Sequence, residues 1–350
     1  MVEAIERFVR SVADGDFESL ALRAFAFQFE RVEPYRRWCE RSGRSPATVV
    51  HWRDIPWIPT SVMKSVTLAA APARVVFRSS GTTTAGERRS VHHHPFPDLY
   101  RRSIESSFPE LCLPRGGRPP MLSIIPSFTL EGDSSLSFMI DHVLQIFGGD
   151  GSAAVAEARG LDLPRARSWL AARQRDGRAF LLLATALALD QLLRGFERLD
   201  LRFRAPAGSA VFLTGGFKTR HSELTLGDLL GRLHERAGIP AGGVVQEYGM
   251  TELTSQAYTR SLVGGRADVF VCPHWMRVQA LDPSTLDEAL PGRDGLLAVL
   301  DLANVGSALH LLTEDLGRAE DGGFRLTGRA GGAELRGCSL RAEELEAAAG

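Results

Sequence analysis

Apolar positions recur at three- and four-residue spacing through the first 50 residues. Val2, Ile5, Phe8, Val9 and Val12 form one set and Phe17, Leu20, Ala21, Ala24 and Phe25 the next, which predicts amphipathic helices. The segment His51 to Thr60, HWRDIPWIPT, breaks that period with His, Trp and Pro rings and reads as an irregular, anchored connection. Beyond it, short apolar runs alternate with helical stretches: Val75 to Phe77, Met121 to Ile125, Phe180 to Leu183, Ala210 to Leu213, Val244 to Val245 and Leu296 to Leu302. Several runs end in Gly, Ser or Thr clusters followed by helix-like sequence. This pattern predicts an α/β class, with helices around mainly parallel sheets. In such sheets ligands bind beyond the carboxyl ends of the strands, so the loops after these runs are where chemistry is expected. After Leu302 the pattern shifts to short strands and turns, HLLTEDLG and GGFRLTG. The expected organisation is a helical packing segment at 1–50, an α/β core at 51–302 and a small β-rich closing subdomain with a hinge-like C-terminus at 303–350.

Composition narrows the function classes. A hydrophobic content of 44% and a charged content of 24% are ordinary for a folded globular chain. The 41 basic and 42 acidic residues nearly cancel, leaving no global field for a nucleic-acid backbone, so no nucleic-acid partner is expected and any phosphate must be held locally. The N-terminus lacks the apolar run of a signal peptide. The longest apolar stretch, Ala179 to Leu189, is too short to cross a bilayer and reads as a buried strand running into a helix. A cytoplasmic protein without a membrane span is the expectation. Cys39, Cys112, Cys272 and Cys338 lie far apart, without a CxxC pair or zinc-like spacing, so a cysteine that matters should act as a nucleophile.

Two loops carry candidate chemistry. Phe77 to Ser90, FRSSGTTTAGERRS, follows a β-type run and packs Ser79, Ser80, Gly81, Thr82 and Thr83 before Arg88 and Arg89. Successive amides and hydroxyls suit a phosphate cradle, although taken alone such a loop is more often an ordinary turn, and Walker A spacing is absent. Gln246 to Leu253, QEYGMTEL, combines an aromatic ring, a glycine, a hydroxyl and a carboxylate. The ring can stack on a base, and Thr251 with Glu252 can meet a phosphate and its magnesium. Alternatively Thr251 caps a helix whose first turn holds Glu252.

In order along the chain stand SSGTTT at 79–84, LTGG at 213–216, EYGMTE at 247–252, LLTEDLG at 311–317 and GRAGGAELRG at 328–337. This set resembles the core motifs of adenylate-forming enzymes, the acyl-CoA synthetase-like superfamily. FKTR at 217–220, CPHWMRV at 272–278 and RGCSL at 336–340 resemble the acyl-protein synthetases, the fatty-acid-protein ligases of bacterial bioluminescence fatty-acid reductase complexes. The likeness runs from about His51 to the C-terminus and implies the N-terminal-domain fold of that superfamily.

The resemblance implies ATP and Mg2+ as cofactors and a role for each matching position. Ser79 to Thr83 would hold the β- and γ-phosphates, Gly215 and Gly216 would line the adenine pocket, and Tyr248, with Gly249 after it, would stack near the base. Thr251 and Glu252 would meet the α-phosphate, with Glu252 as the metal ligand. Asp315 would accept hydrogen bonds from the ribose hydroxyls, and Arg329 would sit beside the same nucleotide. There are two departures from the superfamily pattern. Thr84, Ala85 and Gly86 lead to Arg88 and Arg89 where a glycine, proline and lysine are usual, and the sequence ends at Gly350 without the mobile C-terminal domain that carries a catalytic lysine. The shortened form matches the acyl-protein synthetases, in which an acyl group rests on a cysteine near the C-terminus. By that likeness Cys338, flanked by Arg336 and Arg341, is the acyl acceptor.

The implied activity is activation of a carboxylic acid, a long-chain fatty acid by this likeness, to acyl-AMP, with transfer to a cysteine thiol for delivery to an acyl-reductase or acyl-transferase partner. Acid-CoA or acid-carrier-protein ligation, or a catalytically silent nucleotide-binding subunit of a reductase complex, are the alternatives. Among the remaining features, His92 to His94 lack acidic or cysteine partners at ligand spacing and read as a polar turn near the nucleotide site, with His92 facing it. PSFTLEGDSSLSFM at 126–139 reads either as a lining of the acyl pocket or as ordinary core.

Overall fold

The computed structural model describes residues 1–80, 88–157, 160–215, 225–331 and 345–346. Two compact units divide the chain. One comprises Met1–Ser106, Met250–Gln256 and Val271–Gly350, the other Ser107–Gly249 and Ala257–Phe270.

The second unit contains the parallel sheet. Ala153–Ala154, Met121–Ser123, Leu181–Thr185, Ala210–Thr214 and Val244–Tyr248 pair in that order, all parallel, and Ala257–Thr259 pairs antiparallel with Val244–Tyr248. Helices Ser135–Phe147, Leu163–Asp176, Ala186–Arg198 and Leu226–Ala237 lie between successive strands in the chain, as the crossovers of a parallel sheet require. The apolar stretch at 179–189 is a strand running into a helix, as expected. All four helices begin at side-chain caps. Ser134 accepts from the amide of Ser137 (3.1 Å), Asp162 from Arg165 (2.9 Å), Thr185 from Ala188 (3.1 Å), and Thr225 from Asp228 (3.1 Å) with the reciprocal bond of a capping box. Each cap contributes about 1 kcal/mol. Successive strand residues face opposite ways. Val211 joins Leu122, Leu182 and Val244 against Leu170, Leu189, Leu193, Leu229 and Leu233, whereas Phe212 meets Phe108 and Tyr258.

The first unit holds the N-terminal helices, Val2–Arg10, Phe17–Arg31 and Glu33–Arg41, which match the helical period read in the sequence. It also holds an antiparallel sheet in which Met276–Leu281, Gly295–Asp301, His310–Glu320 and Gly323–Arg329 pair in succession, with Ile58–Pro59 parallel to His310–Glu320. The segment around His51–Thr60 is anchored: the amide of Trp52 donates to Glu18 (2.6 Å), the Tyr35 hydroxyl to Pro56 O (2.7 Å) and the His310 ring to Ile55 O (2.8 Å). Gln28 ties the helices to the connection between Gly295–Asp301 and His310–Glu320. Its Nε2 donates to Val305 O (3.0 Å) and Ser307 O (2.9 Å), and its Oε1 accepts from the amide of Leu309 (3.1 Å).

Two of the apolar runs lie in antiparallel pairs. Val75–Arg78 forms a hairpin with Val91–His94, and Gly295–Asp301 runs against Met276–Leu281. In the latter the intervening chain turns back at Asp282, whose carboxylate accepts from the amides of Ser284 (2.8 Å) and Thr285 (3.3 Å). A turn of that kind reverses direction where a helix would have restored it. Among the described residues no helix is long and apolar enough to cross a membrane.

Candidate active site

In the first unit the hairpin Val75–Arg78/Val91–His94 continues into the stem of the Ser/Thr/Gly loop. The amide of Ser79 donates to Ser90 O (3.1 Å), and Ser79 Oγ accepts from the amide of Ser90 (3.0 Å). Arg89 turns its guanidinium back onto the stem, donating to the carbonyls of Ser79 and, at 3.2 Å, of Arg78. Ser79 is half-buried and Ser80 exposed. Gly81, Thr82 and Thr83 lie outside the described residues.

The triple histidine departs from the expected polar turn. Val91–His94 is a strand, and its alternation sends His92 and His94 into the interior, where they are 0% and 2% exposed. Burial pushes the imidazole of His92 down to about 4, against the raising effect of its bond to Thr251, and drives that of His94 well below its ordinary value, with His92 adding to the shift. Both rings are neutral near pH 7.

Thr251 and Glu252 lie in the segment Met250–Gln256, which is a turn with no helix after it. The helix-cap alternative for Thr251 therefore fails. Glu252 is buried and Thr251 half-buried. The segment is held through its backbone: Thr251 O faces His92 Nδ1 at 2.8 Å, Glu252 O accepts from Asn304 Nδ2 at 2.8 Å, and Thr254 O accepts from Ser103 Oγ at 2.8 Å. Asp301 anchors the next residues, its carboxylate accepting from the amides of Thr254 (3.1 Å), Ser255 (2.8 Å) and Ala303 (3.0 Å) and from Ser255 Oγ (2.7 Å). Burial raises its carboxyl to about 6 in spite of these donors.

Asp315 and Arg329 stand opposite one another in the pairing of His310–Glu320 with Gly323–Arg329, so the structure brings together the two residues assigned to one nucleotide. Asp315 is buried, and its amide donates to Thr313 Oγ1 (3.1 Å); Arg329 donates to Glu314 (2.8 Å).

In the second unit the strands Ala210–Thr214 and Val244–Tyr248 end side by side. Their register, Val244 with Val211 through Gln246 with Leu213, brings Gly215 and Gly249 to the carboxyl edge of a parallel sheet with Tyr248. Gly215 has φ +76° and open space where a Cβ would stand, a conformation favouring glycine. Tyr248 is buried, its ring edge-on to Phe270 at 6.0 Å. Gly216 lies outside the described residues.

Glu247, to which the sequence reading gave no role, stands at this edge. Thr214 Oγ1 donates to its carboxylate, and burial raises the carboxyl to about 7 despite that bond. The available signal was a carboxylate inside a parallel strand, where both faces are covered and a charge is out of place.

Cys39 and Cys112 are buried and Cys272 partly so; burial raises Cys39 and Cys272 to about 12 and Cys112 well above its ordinary value. None of these three thiols is primed as a nucleophile. Cys338 lies outside the described residues. Among the described residues no group of three or more His, Cys, Asp or Glu side chains forms a metal cage. A magnesium ion bound through one carboxylate and phosphate oxygens needs no such cage, and a single carboxylate such as that of Glu252 is compatible with that donor set. The 126–139 segment forms helices Phe128–Glu131 and Ser135–Phe147, with Phe128 edge-on to Phe138 at 5.4 Å.

No protein-family model and no curated protein matches the chain. Solved structures match in fold. An open conformation of 2-hydroxyisobutyryl-CoA ligase in complex with 2-HIB-AMP and CoA aligns with a TM-score of 0.66 at 15% identity, over 91% of this chain and 70% of the ligase. Its postadenylation-state structure with 2-HIB-AMP gives 0.66 at 15% identity, over 89% and 67%. ATP-bound MatB from Rhodopseudomonas palustris gives 0.50 at 16% identity, over 82% of this chain and 51% of MatB. The α/β fold of this chain is the one these structures share.

Proposed function

We propose that the chain activates a carboxylic acid with ATP, releasing pyrophosphate and forming acyl-AMP, and then passes the acyl group to a thiol. The observation that carries this reading is the placement of the motif residues on the fold. The Ser79 stem and the Gly215 and Tyr248 positions lie at strand ends, Thr251 and Glu252 lie in the turn after Val244–Tyr248, and Asp315 and Arg329 face one another in paired strands.

In this reading Tyr248 stacks on the base, Asp315 accepts from the ribose diol, and Ser79 to Thr83 cradle the β- and γ-phosphates. Glu252 is the protein ligand of magnesium, which when bound offsets charge on the phosphates. The acid's carboxylate oxygen attacks the α-phosphorus, the bond to the bridging oxygen breaks, and pyrophosphate leaves. The thiolate of Cys338 then attacks the acyl carbonyl, AMP departs, and a thioester remains. The high pKa values of Cys39, Cys112 and Cys272 support assigning that step to the remaining cysteine. The substrate is a long-chain fatty acid and the recipient an acyl-reductase partner. A second reading, direct transfer to coenzyme A, draws on the ligase structure that holds both 2-HIB-AMP and CoA.

The test is to incubate wild type and Cys338→Ala with radiolabelled fatty acid and ATP and compare protein-bound label released by neutral hydroxylamine. Label on wild type alone supports the cysteine. Equal label on both overturns that assignment, and acyl-AMP without label on either favours coenzyme A.

A further inference from the structure

The buried histidine pair of the Val91–His94 strand is not absorbed by the proposed chemistry. Its surroundings, all within the first unit, fix where each proton lies. A backbone carbonyl only accepts, so the bond between His92 Nδ1 and Thr251 O (2.8 Å) requires a hydrogen on Nδ1. Asn304 directs its Nδ2 at two carbonyls, Glu252 O (2.8 Å) and Ala308 O (2.7 Å), which leaves its Oδ1 to accept from Thr254 Oγ1 (2.8 Å). That bond uses the only hydrogen of the Thr254 hydroxyl. His94 Nε2, 2.9 Å from the same oxygen, must then be the donor. The two rings therefore carry opposite tautomers, His92 protonated on Nδ1 and His94 on Nε2.

The remaining nitrogens, His92 Nε2 and His94 Nδ1, are buried without a hydrogen-bond partner of good geometry, though the Asn304 side chain stands near enough to His92 to raise its imidazole slightly against burial. The ring centroids lie 4.9 Å apart, Phe77 stands edge-on to both rings, and Tyr100 stacks on His94 with centroids 6.0 Å apart. The packing leaves each imidazole one orientation and one useful donor.

Apart from the Asn304 bond to Ala308 O, each of these bonds reaches the backbone of the turn that carries Thr251 and Glu252 or the Thr254 hydroxyl. The other end of the chain is the hairpin whose loop begins at Ser79, with Phe77 opposite His92 in the pairing. The network thus joins two motif segments separated by more than 150 positions.

We propose that His92 and His94, with Asn304 fixing the Thr254 hydroxyl, are positioning residues that clamp the 251–254 turn to the stem of the Ser79 loop, so that the groups assigned to the α-phosphate and magnesium are held in register with Ser79. This rests on the functional reading above. The role differs from packing because it requires a donor at one particular nitrogen of each ring. Asparagine places its amide near the position of Nδ1 and glutamine near that of Nε2, so the two histidines should be rescued by different residues.

The experiment compares His92→Leu, His92→Asn, His94→Leu and His94→Gln by two readouts, each per folded molecule from unfolding curves. The first is hydrogen exchange of the peptide spanning 250–256, which requires no catalysis. Both leucine variants should exchange at least about tenfold faster there, with the rest of the first unit unchanged, while His92→Asn and His94→Gln stay within about threefold of wild type. The second is acid-dependent exchange of pyrophosphate into ATP. Here the leucine variants should lose about tenfold or more in kcat with KM for ATP within about threefold, because misalignment of reacting groups acts on the chemical step. Unchanged amide exchange in the leucine variants overturns the clamp. Faster amide exchange with unchanged kcat overturns the positioning role. A wild type that exchanges no pyrophosphate with any acid sinks the functional reading instead, and the amide exchange still decides whether the clamp exists.

Discussion

Replacing Glu247 by glutamine should stabilise the protein at alkaline pH and do little at acidic pH. The carboxyl of Glu247 is raised from 4.5 to about 7 by burial, with the Thr214 hydroxyl as a countering donor. A raised carboxyl means that the folded state resists ionisation, so the unfolded chain releases its proton first as pH rises. Wild-type stability should therefore fall between about pH 4.5 and 7 and stay level above that. A shift of this size corresponds to about 3 kcal/mol at 1.36 kcal/mol per pH unit. Glu247 keeps part of its surface open, so solvent screening trims the figure to about 1–3 kcal/mol. Glutamine fills the same volume, its Oε1 still accepts from Thr214, and it cannot ionise. Urea unfolding of wild type and Glu247→Gln at pH 5, 6, 7 and 8 should give a difference that opens as pH rises, reaching that value by pH 8. A difference of constant size across the range would refute the reasoning, because it would mean that the carboxyl has the same affinity for protons folded and unfolded.

Three further outcomes are expected. Glu252→Gln should remove acid-dependent acyl-AMP formation by at least about a hundredfold while the unfolding midpoint changes little, since the amide keeps the shape and loses the charge that would hold magnesium; normal acyl-AMP yield by mass spectrometry would remove Glu252 from the site. Asp315→Ala should raise KM for ATP by about tenfold or more, with a much smaller change in KM for the acid, as expected from the loss of hydrogen bonds to a charged acceptor; equal rises in both would argue for general damage. His310, buried with its ring bonded to Ile55 O, is lowered by burial to about 4. Its folded pKa lies below the unfolded 6.5, so stability should fall as pH drops from 6.5 toward 4, by up to about 1.4 kcal/mol per unit. His310→Asn keeps a donor near Nδ1 and removes the titration, so its deficit against wild type should shrink on acidification; a deficit independent of pH would contradict the shift.

The parallel half of the fold was legible because its apolar runs are short and buried and all but Val244–Val245 lead on to a capped helix. Asp162, Thr185 and Thr225 are local signals read within a few residues. The antiparallel half was harder to read, because nothing in LLAVLD states whether the chain before it returned through a helix or a turn. His92 to His94 looked like a polar turn because their partners, Thr251 and Thr254, are distant in sequence. An alternating pattern of buried imidazoles resembles a polar run until the acceptors are known. Asp301 and Asn304 were overlooked for the same reason: they serve a turn that lies before them in the chain and beyond the reach of any local period. The motif residues were legible as types, a ring, a hydroxyl or a carboxylate after a strand, whereas the facing of Asp315 and Arg329 needed the register of their strands.

The central claim is that the chain makes acyl-AMP. Incubation of the purified protein with ATP, magnesium, labelled pyrophosphate and a panel of short- to long-chain and aryl acids tests it directly, because exchange of label into ATP reports reversal of the adenylation step alone and needs no thiol acceptor. The account predicts exchange that depends on the acid, is strongest with a long-chain fatty acid, persists in Cys338→Ala and disappears in Glu252→Gln. Protein that is folded and binds ATP, yet returns no label to ATP with any acid in the panel, would contradict it.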